Sequence, residues 1–369
     1  MRLASFNLEN LFDRAKALNL DSFAEGKVIL DKFAKLNNLF ENPQYSAADK
    51  KAILAGLKDL GVLKDDNGGK FVCLRQNRGK LLKRPTSGPV EVVAEGRGDW
   101  VGWLELTTEH VNEIATQNTA RVLRDVNADV IATIEVDNRV AVQRFNSQSL
   151  PFVSAASYPH VMVIDGNDER GIDVGLMSRF PIGTMRSHVD DGDNGSRIFS
   201  RDCAEYQVLL PGGDRLLLLV NHLKSKGFGT QQDSDARRLR QAQRVREIYD
   251  ERRKSGLTHI AVVGDFNDFP TSAALAPLLG NGSNLRDVST HPKFESDGRP
   301  GTFGNGTATE KIDYILLSPE LFGKVKRAAV FRKGVWGGKN GTLFPHFPEM
   351  TKAIHAASDH AAIFADLSI

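Results

Sequence analysis

Short apolar runs of β type recur from one end of this chain to the other, and many of them meet an acid, an amide or a histidine at one end. Leu3–Phe6 runs into Asn7, Val130–Ile134 into Glu135, Leu216–Val220 into Asn221 and His222, and Ile260–Val263 into Gly264 and Asp265. Two further runs begin from such residues, DYILL at Asp313 and AAIFADL behind Asp359 and His360. Runs this short and this apolar are buried strands rather than helices. Side chains at the ends of different strands can converge on one place. Acids and a histidine gathered there are the makings of a divalent-metal site that hydrolyses phosphate esters.

The connections say how such strands are arranged. PGGD at 211–214 separates two apolar runs, which predicts an antiparallel hairpin. Helical spacing appears from about Asp21 to Leu63, where Phe33, Leu36, Leu39 and Phe40 share a face, and again over Thr108 to Val126. Ser234 to Lys254 reads as an arginine-rich helix with Leu239, Ala242, Val245 and Ile248 inward. Hairpin-linked strands interleaved with few helices favour a mixed or antiparallel sandwich flanked by helices over a doubly wound parallel sheet.

Composition narrows the class. With 41% hydrophobic and 25% charged residues, the chain can build an ample core. A net charge of +2 leaves no whole-surface bias towards nucleic acid, although local basic patches remain open. Two cysteines, Cys73 and Cys203, make no disulfide framework. No apolar stretch is long enough to span a membrane, and MRLASFNLENLF lacks the form of an export signal, so a cytoplasmic location is the expectation.

Each candidate residue also admits a plainer reading. GDFND at 264–268 is equally a capping turn, since Asp and Asn are common where strands end. SDH at 358–360 is equally a surface turn, and Lys224 and Lys226 in NHLKSK a solvated strand end. If GDFND is extended, Asp265 and Asn267 face one way, one as anionic ligand or base and the other as an amide donor to phosphate. Glu135 weighs most by itself: a charge closing VIATI needs a partner if buried, and a cation would supply it.

Taken in order, FNLEN at 6–10, IEVDN at 134–138, GIDVGLMSRFPI at 171–182, NHLKS at 221–225, GDFND, KIDYILLS at 311–318 and SDH make a set. The set resembles the motifs of the endonuclease/exonuclease/phosphatase superfamily, the DNase I-like fold. Any one of them is weak; seven in order from first strand to last are specific. The resemblance implies a four-layered α/β sandwich, two packed and mostly antiparallel sheets with helices outside, forming one catalytic domain over 1–369.

It also implies roles. Glu135 would bind Mg²⁺ (Mn²⁺ or Ca²⁺ being conceivable substitutes), assisted by Asn7 and Asp359. Asp265 would orient or deprotonate the attacking water, and Asn267 would hold a phosphate oxygen. His360 would face the scissile phosphate, oriented by Asp313, with His222 near the leaving group. Arg170, Asp173 and Lys224 join as phosphate or network residues, and Asn7 also borders the substrate.

Asn7 and Glu135 lie 135 − 7 = 128 positions apart, so about 21–107 is a mixed helical and β insertion after the first strand. Arg75, Arg78, Lys80, Lys83 and Arg84 form a strip without an acid, read either as a contact for a polyanionic backbone or as a solvated turn. Trp100 and Trp103 are stacking candidates for bases, or core. The Gly-rich, aromatic loop 334–350 is a candidate cleft lining or gate.

The expected activity is a Mg²⁺-dependent endonuclease on DNA, with RNA also open and nucleic acid as partner. The alternative is a phosphatase or phospholipase-type phosphodiesterase of inositol phosphates or sphingomyelin-like head groups, disfavoured because no membrane-binding amphipathic stretch stands out. A catalytically silent binding module would not need this acid and histidine set. Oligomeric state is not legible.

Overall fold

The computed structural model describes residues 1–9, 11, 13–18, 23–168, 170–193, 195–226 and 230–369. Asn10, the last residue of the FNLEN motif, and Asp21, the expected start of the insertion, lie outside the described residues. The chain divides into two compact units, Met1–Phe12 with Val111–Lys226 and Thr230–Ile369, and Asp13–His110.

In the first unit eleven main strands are numbered here in chain order: β1 Arg2–Asn7, β2 Val130–Val136, β3 His160–Ile164, β4 Asp173–Ser178, β5 Ile182–Arg186, β6 Cys203–Leu209, β7 Arg215–His222, β8 Ile260–Asp265, β9 Asp313–Leu317, β10 Val325–Phe331 and β11 Ala362–Leu367. One sheet runs β10-β11-β1-β2-β4-β3, extended beside β10 by Phe294–Glu295. The other runs β5-β6-β7-β8-β9, extended beside β9 by Arg286–Asp287. PGGD does turn β6 into antiparallel β7, with Leu210 N donating to Asp214 O over 2.9 Å.

Strand alternation makes the layers. On β2, Val130, Ala132 and Ile134 face the same core as Leu216, Leu218 and Val220 of β7 and Ala261 and Val263 of β8. Ile131 points the other way, onto Ala120, Leu123 and Val126 of the helix Glu113–Val126. Leu217, Leu219 and Val262 meet Ala242, Val245 and Ile248 of the helix Gln231–Lys254. Two sheets with a helix on each outer face are the expected four-layered sandwich.

Local expectations shift in two places. The helix expected from Thr108 begins at Glu113, capped by Asn112 Oδ1 accepting from Ile114 N at 2.9 Å, and Thr108–His110 is a strand instead. Its Asx cap outweighs the apolar period upstream. Leu239 is only half-buried, while Arg238 is fully enclosed because Asp268 and Asp235 neutralise it.

Among the eleven main strands each sheet holds one parallel pair, β1 beside β2 and β7 beside β8, and both crossovers pass through a long helix. Parallel strands end on the same side, so Asn7 and Glu135 emerge together, as do His222 and Asp265. Antiparallel neighbours begin where these end: Asp313 pairs with Asp265 at the start of β9, and β11 enters behind His360. Topology therefore accounts for the gathering of residues 7 to 360. Gly264 makes the close packing of β7 on β8 feasible, for its φ is +130° and a Cβ there would sit 1.9 Å from Asn221 O. Gly264→Ala is expected to cost about 2 kcal/mol or more, read as a lowered midpoint in urea.

The second unit has its own core, in which helices Phe23–Phe40 and Ala47–Asp59 pack with the hairpin Val72–Arg78 and Val101–Leu106. Trp100 belongs to that core, edge-on to Phe40 at 5.1 Å and donating from Nε1 to Tyr45 Oη over 2.9 Å. Trp103 is partly exposed. Arg75 is paired with Glu105, and Arg84 with Asp66 and the carbonyls of Val62 and Leu63. Two members of the basic strip are thus held by the unit's own groups.

Candidate active site

Seven polar side chains from six strand ends meet in the first unit. Asn7 stands at their centre: its Nδ2 donates to Glu135 Oε1 and to Asp265 Oδ2, each at 3.2 Å, and lies 3.4 Å from His360 Nε2. His222 Nε2 is 3.6 Å from Glu135 Oε1 and 3.7 Å from Asp265 Oδ2. His360 Nδ1 is 2.9 Å from Asp313 Oδ2, and its Nε2 is 3.7 Å from Asp359 Oδ1.

Backbone irregularity aims two of these groups. Glu135 has φ 58°, and the β2–β4 register skips it, pairing Ile134 with Val174 and Val136 with Asp173. It is a bulge residue, and the bulge points a carboxylate that a regular strand would direct elsewhere. Asn267 has φ 54°, so the segment after Asp265 is not extended. That corrects the shared-face expectation for Asp265 and Asn267. The chain folds back instead: Asn267 N donates to Asp265 Oδ1 at 2.8 Å, and its amide to Asp265 Oδ2 at 3.2 Å and Leu223 O at 3.1 Å. Asn267 thereby clamps Asp265.

Burial and neighbours drive the titrating groups apart. Burial, then the nearby Asp313 carboxylate, pushes the Asp265 carboxyl up to about 7. Burial holds the His222 imidazole well below its ordinary value, with Arg201 adding to the effect. Burial alone would lower His360 too, but the carboxylates of Asp313 and Asp359 outweigh it and raise the imidazole well above its ordinary value. One histidine is thus neutral and the other cationic near neutral pH. Such a split, beside a carboxylate poised near 7, is the signature of acid–base assignments.

Sequence reasoning missed several supports. Thr302 Oγ1 donates to Asp313 Oδ2 at 2.6 Å and accepts from Asp313 N at 3.0 Å, so Asp313 is oriented before it orients His360. The Phe303 ring lies 5.0 Å from the His360 ring. Nothing in GTFGN signals either contact. Asp168 is bridged by Arg170 at 2.7 Å and Arg201 at 2.8 Å. Burial alone would raise the Asp168 carboxyl, yet the two guanidiniums hold it below the usual carboxylate range. An Asp two residues before an Arg (Arg170 N donates to Asp168 Oδ1 at 3.1 Å) was a readable turn signal.

The remaining expected residues sit at the margin. Arg170 feels the Glu135 charge while paired to Asp168. Asp173 is buried, pushed up to about 7 chiefly by that burial, and accepts from Gly166 N at 2.8 Å, bracing the loop after β3. Lys224 lies two residues past His222; burial, then Arg201 and Arg170, bring its ammonium down to about 7. The 334–350 loop buries Val335, Phe344, Phe347 and Met350.

Ligand atoms of Glu135, His222 and Asp265 lie within 4.8 Å of one another, as do those of Asp265, Asp313 and His360. A hard divalent cation favours such carboxylate and amide oxygens. Asn7 sits among these groups, its amide nitrogen facing two carboxylates and an imidazole.

A sequence profile described as the Endonuclease/Exonuclease/phosphatase family matches residues 112–360. No curated protein is similar enough in sequence to count as a match. Among solved structures, the chain is similar to an endonuclease/exonuclease/phosphatase family protein from Bacteroides thetaiotaomicron, at 18% identity and TM-score 0.50, covering 68% of this chain and 86% of that one. It is also similar to a mannosyl-6-phosphatase from the same organism, at 19% identity and TM-score 0.49, covering 69% and 92%. A third is truncated TDP2 from Caenorhabditis elegans, at 16% identity and TM-score 0.46, covering 68% and 90%. At 18% identity the first likeness speaks for the shared fold.

Proposed function

The chain belongs to the endonuclease/exonuclease/phosphatase family of phosphoester hydrolases, and from that premise we propose that it cleaves phosphodiester bonds of nucleic acid, as a Mg²⁺-dependent endonuclease on DNA and also RNA. The observation that carries the reading is the convergence of two overlapping ligand sets, Glu135 with His222 and Asp265, and Asp265 with Asp313 and His360, each with its ligand atoms within 4.8 Å of one another.

Glu135, Asp359 and Asn7 would hold Mg²⁺, which supplies Lewis-acid neutralisation of the phosphate charge. Asp265 Oδ2 takes the proton of the attacking water; a carboxyl poised near 7 is matched to that task. His360, fixed by Asp313 through Nδ1, turns Nε2–H towards the scissile phosphate and offsets the charge that builds there. His222, buried and neutral, borders the leaving group. Asn267 keeps Asp265 in one orientation, and its amide reaches a phosphate oxygen only by leaving its present partners. Lys224 is a further phosphate contact, with Arg170 and Asp173 behind it.

Plasmid nicking with Mg²⁺, abolished by EDTA and falling steeply with salt, is the expected result. Phosphate release from inositol phosphates without nicking would favour the phosphatase or phosphodiesterase alternative. The arginine-rich helix contributes less to nucleic-acid binding than its composition suggests, since five of its arginines are held in ion pairs.

Where the protein works in the cell is equally a proposal, a cytoplasmic one. Among the described residues no helix is long and apolar enough to cross a membrane.

A further inference from the structure

The helix Gln231–Lys254 carries seven arginines. Arg238 pairs with Asp235 and Asp268, Arg244 with Asp191, Arg246 with Asp250, Arg252 with Glu205 and Arg253 with Glu320. Arg237 and Arg240, three residues apart on one face, are the exceptions. Among the described residues neither forms an ion pair, and each has its Nε buried without a hydrogen-bond partner. Both residues are nonetheless only half-buried, so solvent reaches them.

This arrangement is unfavourable for folding. A buried guanidinium N–H without an acceptor carries a desolvation cost. Like charges three residues apart weaken a helix. Burial lowers the Arg237 guanidinium, and Arg240 lowers it further; the carboxylate it senses, Asp168, is already bridged by Arg170 and Arg201. An anion bound between the solvent-reached parts of the two guanidiniums would offset their mutual repulsion.

Their position says which anion. Lys224 is tied to this stretch of helix, its N donating to Gln241 Oε1 at 2.7 Å and its carbonyl accepting from Arg238 Nη1 at 2.5 Å. Its ammonium senses Arg201, Arg170 and Arg237 together. His222 is two residues away, and the intervening Leu223 carbonyl is held by Asn267 and Arg201. The arginines therefore flank the catalytic cluster without belonging to it.

We propose that Arg237 and Arg240, with Lys224, form a second phosphate site that takes the phosphate flanking the scissile one. The inference rests on the phosphodiesterase reading above and sharpens it: the substrate carries at least two phosphates, as a nucleic-acid strand does. A small bisphosphate would present the same group.

The test compares wild type with Arg237→Gln/Arg240→Gln and with Arg237→Lys, all checked for unchanged melting. In EDTA, where turnover does not intervene, anisotropy of a fluorescent single-stranded 12-mer should show at least about tenfold weaker binding by the double glutamine variant. Its slope of log affinity against log salt should be shallower by about 1.4, two contacts at ~0.7 each. Arg237→Lys should keep most of the affinity. With Mg²⁺, the kcat/KM ratio of 12-mer to bis(4-nitrophenyl) phosphate should fall at least about tenfold in the double variant. Unchanged binding and an unchanged ratio would overturn the second site, and so would equal losses on both esters. If wild type ignores the 12-mer and instead releases phosphate from an inositol bisphosphate, with the same double-variant loss, the second phosphate site stands and the nuclease reading fails.

Discussion

Asp265→Asn should lower phosphodiester turnover at least about a hundredfold, the scale of losing one general base, and should at the same time stabilise the metal-free protein at pH 8. The two effects share one cause. Burial and the Asp313 carboxylate keep the Asp265 proton on up to about 7, whereas an unfolded aspartate loses it near 3.8. Between those values the folded chain binds more protons than the unfolded one, so raising pH erodes stability across that window. Asparagine has nothing to ionise and keeps the shape. In EDTA, the melting temperature of wild type should therefore fall relative to the variant as pH rises from 4 to 8. Asp173, also raised to about 7, is present in both proteins, so the difference isolates Asp265. Wild-type turnover by a folded Asp265→Asn protein would remove it from the reaction.

His360→Ala should bring a loss of similar size, again at least about a hundredfold, with the fold retained. Asp313→Asn tests the cause rather than the presence of the imidazole. The Asp313 and Asp359 carboxylates hold His360 protonated well above its ordinary range against the pull of burial. Removing the Asp313 charge lowers that pKa, so the cation is lost at a lower pH. The alkaline limb of the rate profile should accordingly move to lower pH, with a smaller loss on the acid side. A uniform drop at every pH would instead mean that Asp313 only shapes the local structure.

How far the site was legible depended on what each residue needed in order to be seen. Asn7, His222, Asp265 and Asp313 lie at the ends of short continuous apolar runs, and such runs are visible in a bare sequence. The hairpin at 211–214 was equally visible, because glycine at φ 91° and 92° is written into PGGD. Glu135 was conspicuous as a charge, but the bulge that aims it depends on register with β4, whose flanking pairs span 174 − 134 = 40 and 173 − 136 = 37 positions of chain. Thr302 and Phe303 are invisible for the same reason: their meaning comes from where β9 and the turn before β11 meet. Arginines misled most. Their number in the helix Gln231–Lys254 suggests an anion surface, yet composition cannot show that Asp191, Glu205 and Asp268, distant in sequence, neutralise them. Only coordinates separate five engaged guanidiniums from Arg237 and Arg240.

The two parallel pairs that bear site residues, one in each sheet, make catalytic competence indivisible. Asn7 and Glu135 come from one sheet and His222, Asp265 and Asp313 from the other, while His360 enters next to the final strand. Neither half of the sandwich owns a working fragment of the machinery. During refolding, activity must therefore wait for face-to-face docking of the halves, a non-local step that is slow by nature. Recovered turnover becomes a timer for that event, lagging behind any spectroscopic gain of secondary structure.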